Sequence, residues 1–247
     1  MTAYTSLAEA YDRLTQDVDY ARILDFLETL LHAQGKRPQT VLDLACGTGS
    51  LSVLLAERGY RVIGADMSED MLCVASEKAN ALEDNVPFFI CQRMERLRLP
   101  EPVDCVVCCL DSLNYITDPA GCRRALRRVY EALRPGGIFL FDVNTPEKLR
   151  AMDDQIFLDE DEDVYCVWRG CFDEETRICS YGIDLFVRQG SAWERSFEEH
   201  REYAYTLQEL QAYLGEAGFS DVRMYGDRRL APPAAGEQRV YFSACKE

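Results

Sequence analysis

Hydrophobic positions along the 247-residue chain keep two rhythms, a helical one and a strand-like one. Leu7, Tyr11 and Leu14 share one helical face, and Ile23, Phe26, Leu27, Leu30 and Leu31 form a second stripe, so residues 4–34 read as two amphipathic helices. Gly35, Lys36, Arg37 and Pro38 end the second. Short apolar runs then alternate with helical patterns. The runs are TVLDLA (40–45), RVIGAD (61–66), VPFFICQ (86–92), VDCVVCCL (103–110) and GIFLFDV (137–143). The helical patterns cover about 50–58, 69–82 and 119–133, the last closed by a turn over Arg134–Gly137. Strands rich in Val, Ile, Phe and Cys between amphipathic helices predict right-handed crossovers and a mostly parallel sheet with helices on both faces. Ligands of such a sheet gather at the C-terminal strand ends.

The rhythm changes after residue 145. An acidic stretch, Asp153 to Asp163, leads into period-two segments over 164–172, 177–189 and 191–205, which predict an antiparallel meander. Thr206 and Glu209 then form a capping-box pattern that opens a helix ending at Gly218. FSDVRMYG (219–226) and RVYFSACK (239–246) complete the sheet as final strands, joined closely enough to run antiparallel. The predicted fold is a Rossmann-like, mostly parallel seven-stranded α/β sheet carrying an antiparallel β insertion between its fifth strand and its last helix.

Charge narrows the partners. Lys and Arg number 27 against 43 Asp and Glu, a net −16, and such a field repels phosphate-rich partners. Arg123, Arg124, Arg127 and Arg128 recur at helical spacing among apolar neighbours, the pattern of a solvated helix face. No apolar run approaches membrane-spanning length and the N-terminus lacks the order of a secretory signal, so a cytoplasmic protein without membrane or nucleic-acid partners is expected. The 11 cysteines, several inside apolar runs, read as reduced small hydrophobes. Cys105 and Cys108 form a CxxC, but their odd spacing in a strand sends them to opposite faces, and no metal site is expected.

Candidate chemistry concentrates in VLDLACGTG (41–49). Gly47 and Gly49 follow a buried strand and precede a helix, so the backbone there turns tightly and approaches a ligand closely. The third glycine usual in a dinucleotide site is replaced by Ser52, and Asp43 stands at the mouth of the turn. A carboxylate there suits a ligand bearing an ammonium and a sulfonium better than a pyrophosphate. Asp66, 19 residues after Gly47, ends the second strand where a carboxylate accepts both ribose hydroxyls of either cofactor class.

These motifs resemble the class I S-adenosylmethionine-dependent methyltransferases. GADMS (64–68) is similar to their ribose motif, DSLNY (111–115) to their fourth motif, and LRPGGIFLFDVNT (133–145) to their turn and fifth strand. YDRLTQDVDY (11–20) resembles the cofactor-covering helices of stand-alone bacterial methyltransferases that act on small molecules. The resemblance implies that Asp43, Ala45 and Gly47 line the methionine end of the cofactor, Asp66 holds the ribose, Met67 and Met94 border adenine, Leu110 and Asp111 wall the sulfonium, and Tyr11 and Tyr20 come from the lid. It also implies four regions: lid helices (1–36), a cofactor-binding core (37–145), a cap at the acceptor site (146–205) and completion of the core (206–247). One position departs. Where many relatives carry an acidic residue before Met94, this chain has Arg93, which has no acceptor for the adenine amino group.

The expected reaction is methyl transfer from S-adenosylmethionine to an N, O or C atom of a small acceptor, by a monomer or homodimer. Alternatives are an NAD(P)-dependent oxidoreductase and a non-catalytic cofactor binder. Candidate catalytic groups are Asp111, Tyr115 and His200; acceptor-site candidates are Asn114, Tyr115, Asn144, Trp168 and Tyr205. His200, amid Glu198, Glu199 and Glu202, reads as an exposed, ion-paired histidine unless it is the general base. Asp111, Asp142 and Asn144 form a formal Mg²⁺-ligand set without the supporting motifs. DSLNY also lacks the paired prolines of enzymes that methylate base amino groups.

Overall fold

Seven strands form the main sheet in the order β10-β11-β5-β4-β1-β2-β3. They are β1 (Thr40–Leu44), β2 (Arg61–Asp66), β3 (Phe88–Cys91), β4 (Val103–Cys108), β5 (Leu133–Asn144), β10 (Ser220–Gly226) and β11 (Arg239–Cys245). The computed structural model describes residues 11, 12, 15, 17–160 and 162–247. Strands β1 to β5 pair in parallel, and β11 runs against both β5 and β10. Helices α1 (Tyr20–Ala33) and α2 (Ser50–Glu57) pack on one face through Leu24, Leu27, Leu30, Leu51 and Leu55. On the other face, α4 (Pro119–Ala132) and α6 (Leu207–Ala217) contribute Leu126, Val129, Leu210 and Leu214. Helix α3 (Glu69–Ala79) connects β2 to β3. Cys105 and Cys108 belong to the two opposite cores, so the CxxC cannot grip one ion.

The helix ends follow the sequence. Thr206 caps α6 in a complete capping box with Glu209, and Gly218 ends it at φ 107°. Of the predicted first N-terminal helix, Leu7 and Leu14 lie outside the described residues; Tyr11 and Asp12 are helical. The turn expected over Arg134–Gly137 is part of β5 instead. Leu133 pairs with Val103 and the ladder resumes at Cys105 and Ile138, so the Pro-Gly-Gly segment is accommodated as an irregularity inside the strand.

Beyond β5, a short helix α5 (Pro146–Arg150) capped by Thr145 precedes a separate antiparallel sheet, β6-β7-β8-β9. Its strands are β6 (Ile156–Glu160), β7 (Val164–Asp173), β8 (Ile178–Gln189) and β9 (Ala192–Tyr203). Strand β6 was hidden in the acidic stretch, since all five of its residues are exposed and no alternation of burial marks it. Its Asp159 and Glu160 put charge on an open sheet edge, which discourages pairing with other chains. Leu149, Cys166, Ile183 and Leu185 give this sheet its own small core. Among the described residues, no helix is long and apolar enough to cross a membrane.

Candidate active site

Strand order reverses between β1 and β4, which opens a crevice at their C-terminal ends. A cavity of about 310 Å³ lies there. Asp43, Ala45 and Gly47 line it from β1 and the glycine turn, Asp66 and Met67 from the end of β2, and Met94 from the turn after β3. Leu110 and Tyr115 line it after β4, and Tyr11 and Tyr20 from the N-terminal region. His200 of β9 lies on the same wall system, so the separate sheet closes over the crevice.

The glycine turn has the backbone its composition predicts. Ala45, Gly47 and Gly49 take φ of 60°, 53° and 75°. A Cβ on Gly49 would come within 2.8 Å of Ala75, whereas one on Gly47 would meet no protein atom within 4 Å. Gly49 is therefore needed for packing of α2 against α3, and Gly47 leaves its space to the cavity. The outer side of the turn is tied down. Thr48 Oγ1 donates to Asp12 at 2.7 Å, Lys78 Nζ pairs with Asp12 at 2.7 Å, and Lys78 also donates to Ser50 Oγ at 2.7 Å.

Two carboxylates face this part of the cavity. Asp43, only 2% exposed, accepts the Ser52 hydroxyl at 2.6 Å. Ser52, at the usual third-glycine position, thus holds the carboxylate in place. Burial pushes Asp43 from 3.8 up to about 7, with the Asp66 charge adding to the rise. Asp66 accepts backbone N–H groups of Gly47 at 3.0 Å and Ser68 at 2.9 Å, and burial likewise raises it. Each oxygen of Asp66 keeps a lone pair for a further donor. Cys46 and Cys109 also line the cavity, but burial raises both thiols well above their usual range, which keeps them protonated.

The acceptor-side candidates divide. His200 is 1% exposed, not exposed as its acidic neighbours imply, because β9 turns that face inward against β8 and the cavity. Its Nε2 lies 3.0 Å from Glu198. Tyr115 and Trp168 pack edge-on to its ring at 5.9 and 6.5 Å between centroids. Tyr115 lines the cavity; Trp168 stands behind His200 and does not.

Asp111, Asn114, Asn144 and Tyr205 are withdrawn from the cavity by bonds of their own. Asp111 pairs with Arg239 at 2.6 Å. Asn114 donates to the Asn144 and Tyr203 carbonyls, both at 3.0 Å, and accepts the Asn144 N–H at 3.1 Å. Asn144 donates to Glu202 at 3.0 Å. Tyr205 is fully buried and donates its hydroxyl to the Ile116 carbonyl. The formal Mg²⁺ set fares likewise: the Arg239 guanidinium bonds Asp111, Asp142 and Asn144 at once, filling the space a cation would need.

Glu95, Thr117, Glu199 and Arg201 were not singled out yet line the cavity. Arg93 turns its guanidinium to Glu95 at 3.4 Å, which brings a carboxylate to the wall where position 93 lacks one. Only the place of these residues just after strand ends or beside His200 could have marked them.

Comparison with known proteins agrees with this geometry. A family profile described as a methyltransferase domain matches residues 41–137. A provisionally named methyltransferase of Geobacillus sp. (strain WCH70) is 34% identical over 247 residues, 98% of this chain and 99% of its own length. YqeM of Bacillus subtilis (strain 168), also provisionally named a methyltransferase, is 32% identical over 245 residues, 98% of this chain and 97% of YqeM. A solved S-adenosylmethionine-dependent methyltransferase from Clostridium acetobutylicum ATCC 824 superposes with a TM-score of 0.87 at 29% identity, covering 99% of each chain.

Proposed function

The chain belongs to the S-adenosylmethionine-dependent methyltransferase family, and we propose that it methylates a small molecule whose reacting group lies under strand β9 and gives its proton to His200. The observation that carries this reading is one cavity lined by two carboxylates, Asp43 and Asp66, which suit a cationic nucleoside, and also by buried His200 with Tyr115. Family membership sets aside the nicotinamide alternative, and the carboxylate of Asp12 beside Thr48 and Ser50 leaves that helix start poorly suited to a pyrophosphate.

The residues present fit the cofactor. Ionised Asp43 would balance its positive charge, Asp66 would take the ribose hydroxyls, Met67 and Met94 would offer apolar surface to the adenine, and Glu95 would offer an acceptor to its amino group. When bound, it supplies a methyl group already activated by sulfonium charge. The protein's work is then alignment, exclusion of water and proton management. Tyr11 and Tyr20 cover the cavity and exclude water, while Ile116 and Thr117 shape the acceptor end. His200 accepts the acceptor's proton and Glu198 stabilises the imidazolium that forms.

Calorimetric titration with S-adenosylhomocysteine tests the first half of this reading. Binding is expected in the wild type, and Asp66→Ala should weaken it by about 1.5–3 kcal/mol through loss of charge-assisted bonds. Labelled methyl transfer to a panel of small amines and hydroxyl compounds tests the second half, with His200→Gln expected to lose turnover while keeping affinity for S-adenosylhomocysteine. No heat with wild type, or full turnover by His200→Gln, would refute the corresponding half.

A further inference from the structure

Leu110 and Asp111 take φ of 56° and 51°, two successive non-glycine residues in the left-handed region. Such backbone persists only where its surroundings over-determine it. Here Asp142, 1% exposed, accepts the Leu110 N–H at 2.8 Å and the Asp111 N–H at 3.1 Å. Arg239, the first residue of β11, closes the arrangement: Nη1 donates to Asp142 and Nη2 to Asp111 at 2.6 Å. The turn so held brings Leu110 to the cavity wall, yet Arg239 itself lies outside the cavity, in a neighbouring groove with Lys148 and Glu237.

A second arm leaves the same guanidinium. Nη2 also donates to Asn144 Oδ1 at 3.2 Å, and Asn144 Nδ2 donates to Glu202 at 3.0 Å. Glu202 is 3% exposed and stands two residues beyond His200 on β9. Asn114 stiffens this joint from the other side by bonding Asn144 and the Tyr203 carbonyl. One side chain is therefore bonded, directly or through one amide, to the Leu110–Asp111 turn and to the strand that carries His200.

We propose that Arg239 is a positioning residue for methyl transfer, whose planar fork fixes the turn beside the cofactor and, through Asn144 and Glu202, sets the acceptor-side strand against it. The proposal rests on the reading of the cavity given above. A lysine cannot replace it, because a single ammonium does not meet two carboxylates and an amide in fixed directions.

The test uses the full-length protein, Arg239→Lys and Arg239→Gln, S-adenosylhomocysteine titration and amide hydrogen exchange. Both variants should bind S-adenosylhomocysteine about tenfold more weakly, the effect of losing one charge-assisted bond to the turn. Exchange should accelerate over residues 109–116 and 198–203 and stay at the wild-type level over 40–44. Wild-type affinity with unchanged exchange in either variant, rescue of both regions by lysine, or uniform acceleration that includes 40–44 would overturn the proposal. Should Arg239→Gln fail to fold, Asp111→Ala and Glu202→Ala separate the arms by removing the acceptor each ends on: the first should loosen 109–116 alone and the second 198–203 alone, and any other pattern counts against the assignment. A wild type that binds no S-adenosylhomocysteine would refute the cavity reading, whereas the exchange data would still decide the role of Arg239.

Discussion

At the scale of single residues, one cavity brings Asp43, Gly47 and Asp66 together with Tyr115 and His200. Asp43, Gly47 and Asp66 occupy fixed offsets from a strand end, and local backbone geometry suffices to place them on the cavity wall. His200 sits in a string of charges, EEHRE, that reads as solvated; only pairing of β9 with β8 buries it. Arg239 is 128 positions from Asp111, and no local pattern announces a partner that distant. The clearest residue-level prediction concerns Asp43. Its carboxyl titrates from 3.8 in the unfolded chain to about 7 when folded, raised by burial. Between those values the folded protein holds a proton that the unfolded chain has lost, so this group makes stability fall as pH rises through that window and adds no further slope above about 7. A bound ammonium favours the ionised form. Affinity for S-adenosylhomocysteine should therefore rise with pH below that value, by up to about tenfold per unit, with proton release on binding. Calorimetry at one acidic pH in two buffers of different ionisation enthalpy measures the release, and Asp43→Asn should abolish it. An unchanged proton count in that variant would reassign the titration.

At the scale of elements, the sheet was legible because buried parallel strands and amphipathic helices differ in both period and composition. The capping box of α6 and the opposite-face placement of Cys105 and Cys108 followed from the same local rules. Strand β6 escaped because an edge strand exposed along its whole length carries no alternation, and the Pro-Gly-Gly segment in β5 because turn residues also serve irregular strands. Between elements, the Lys78–Asp12 pair fastens the N-terminal segment bearing Tyr11 to α3 and to the glycine turn. With side chains 28% and 40% exposed, the pair contributes at most about 1 kcal/mol, enough for about a fivefold change in a rate. Lys78→Met should shorten the residence time of S-adenosylhomocysteine by that factor, and about 1 M salt should produce most of the same change in the wild type. Surface plasmon resonance measures both. An unaltered dissociation rate would mean that this contact does not slow the release of S-adenosylhomocysteine.

At the scale of the whole molecule, net charge bears on the acceptor class proposed above. The net charge of −16 opposes approach of a polyanion, and the arginines of α4 do not offset it locally. Arg123 pairs with Glu216 and lies over the Tyr213 ring, Arg124 pairs with Asp118, and Arg128 with Glu131. Three of the four arginines on α4, at 123, 124 and 128, are paired where they stand, which leaves few counterions for a nucleic acid to release at this helix. Strand β9 reaches the cavity with Glu199, His200 and Arg201, and Glu199 and Arg201 are paired to each other. Transfer RNA should accordingly show no saturable binding at about 100 mM salt, and the trace seen at lower salt should not fall along the steep log-log slope of a many-phosphate contact. Filter binding over a salt series measures this directly. A micromolar affinity with a slope equivalent to several phosphates would require an unpaired basic track on this surface and would move the acceptor from the small-molecule class to nucleic acid.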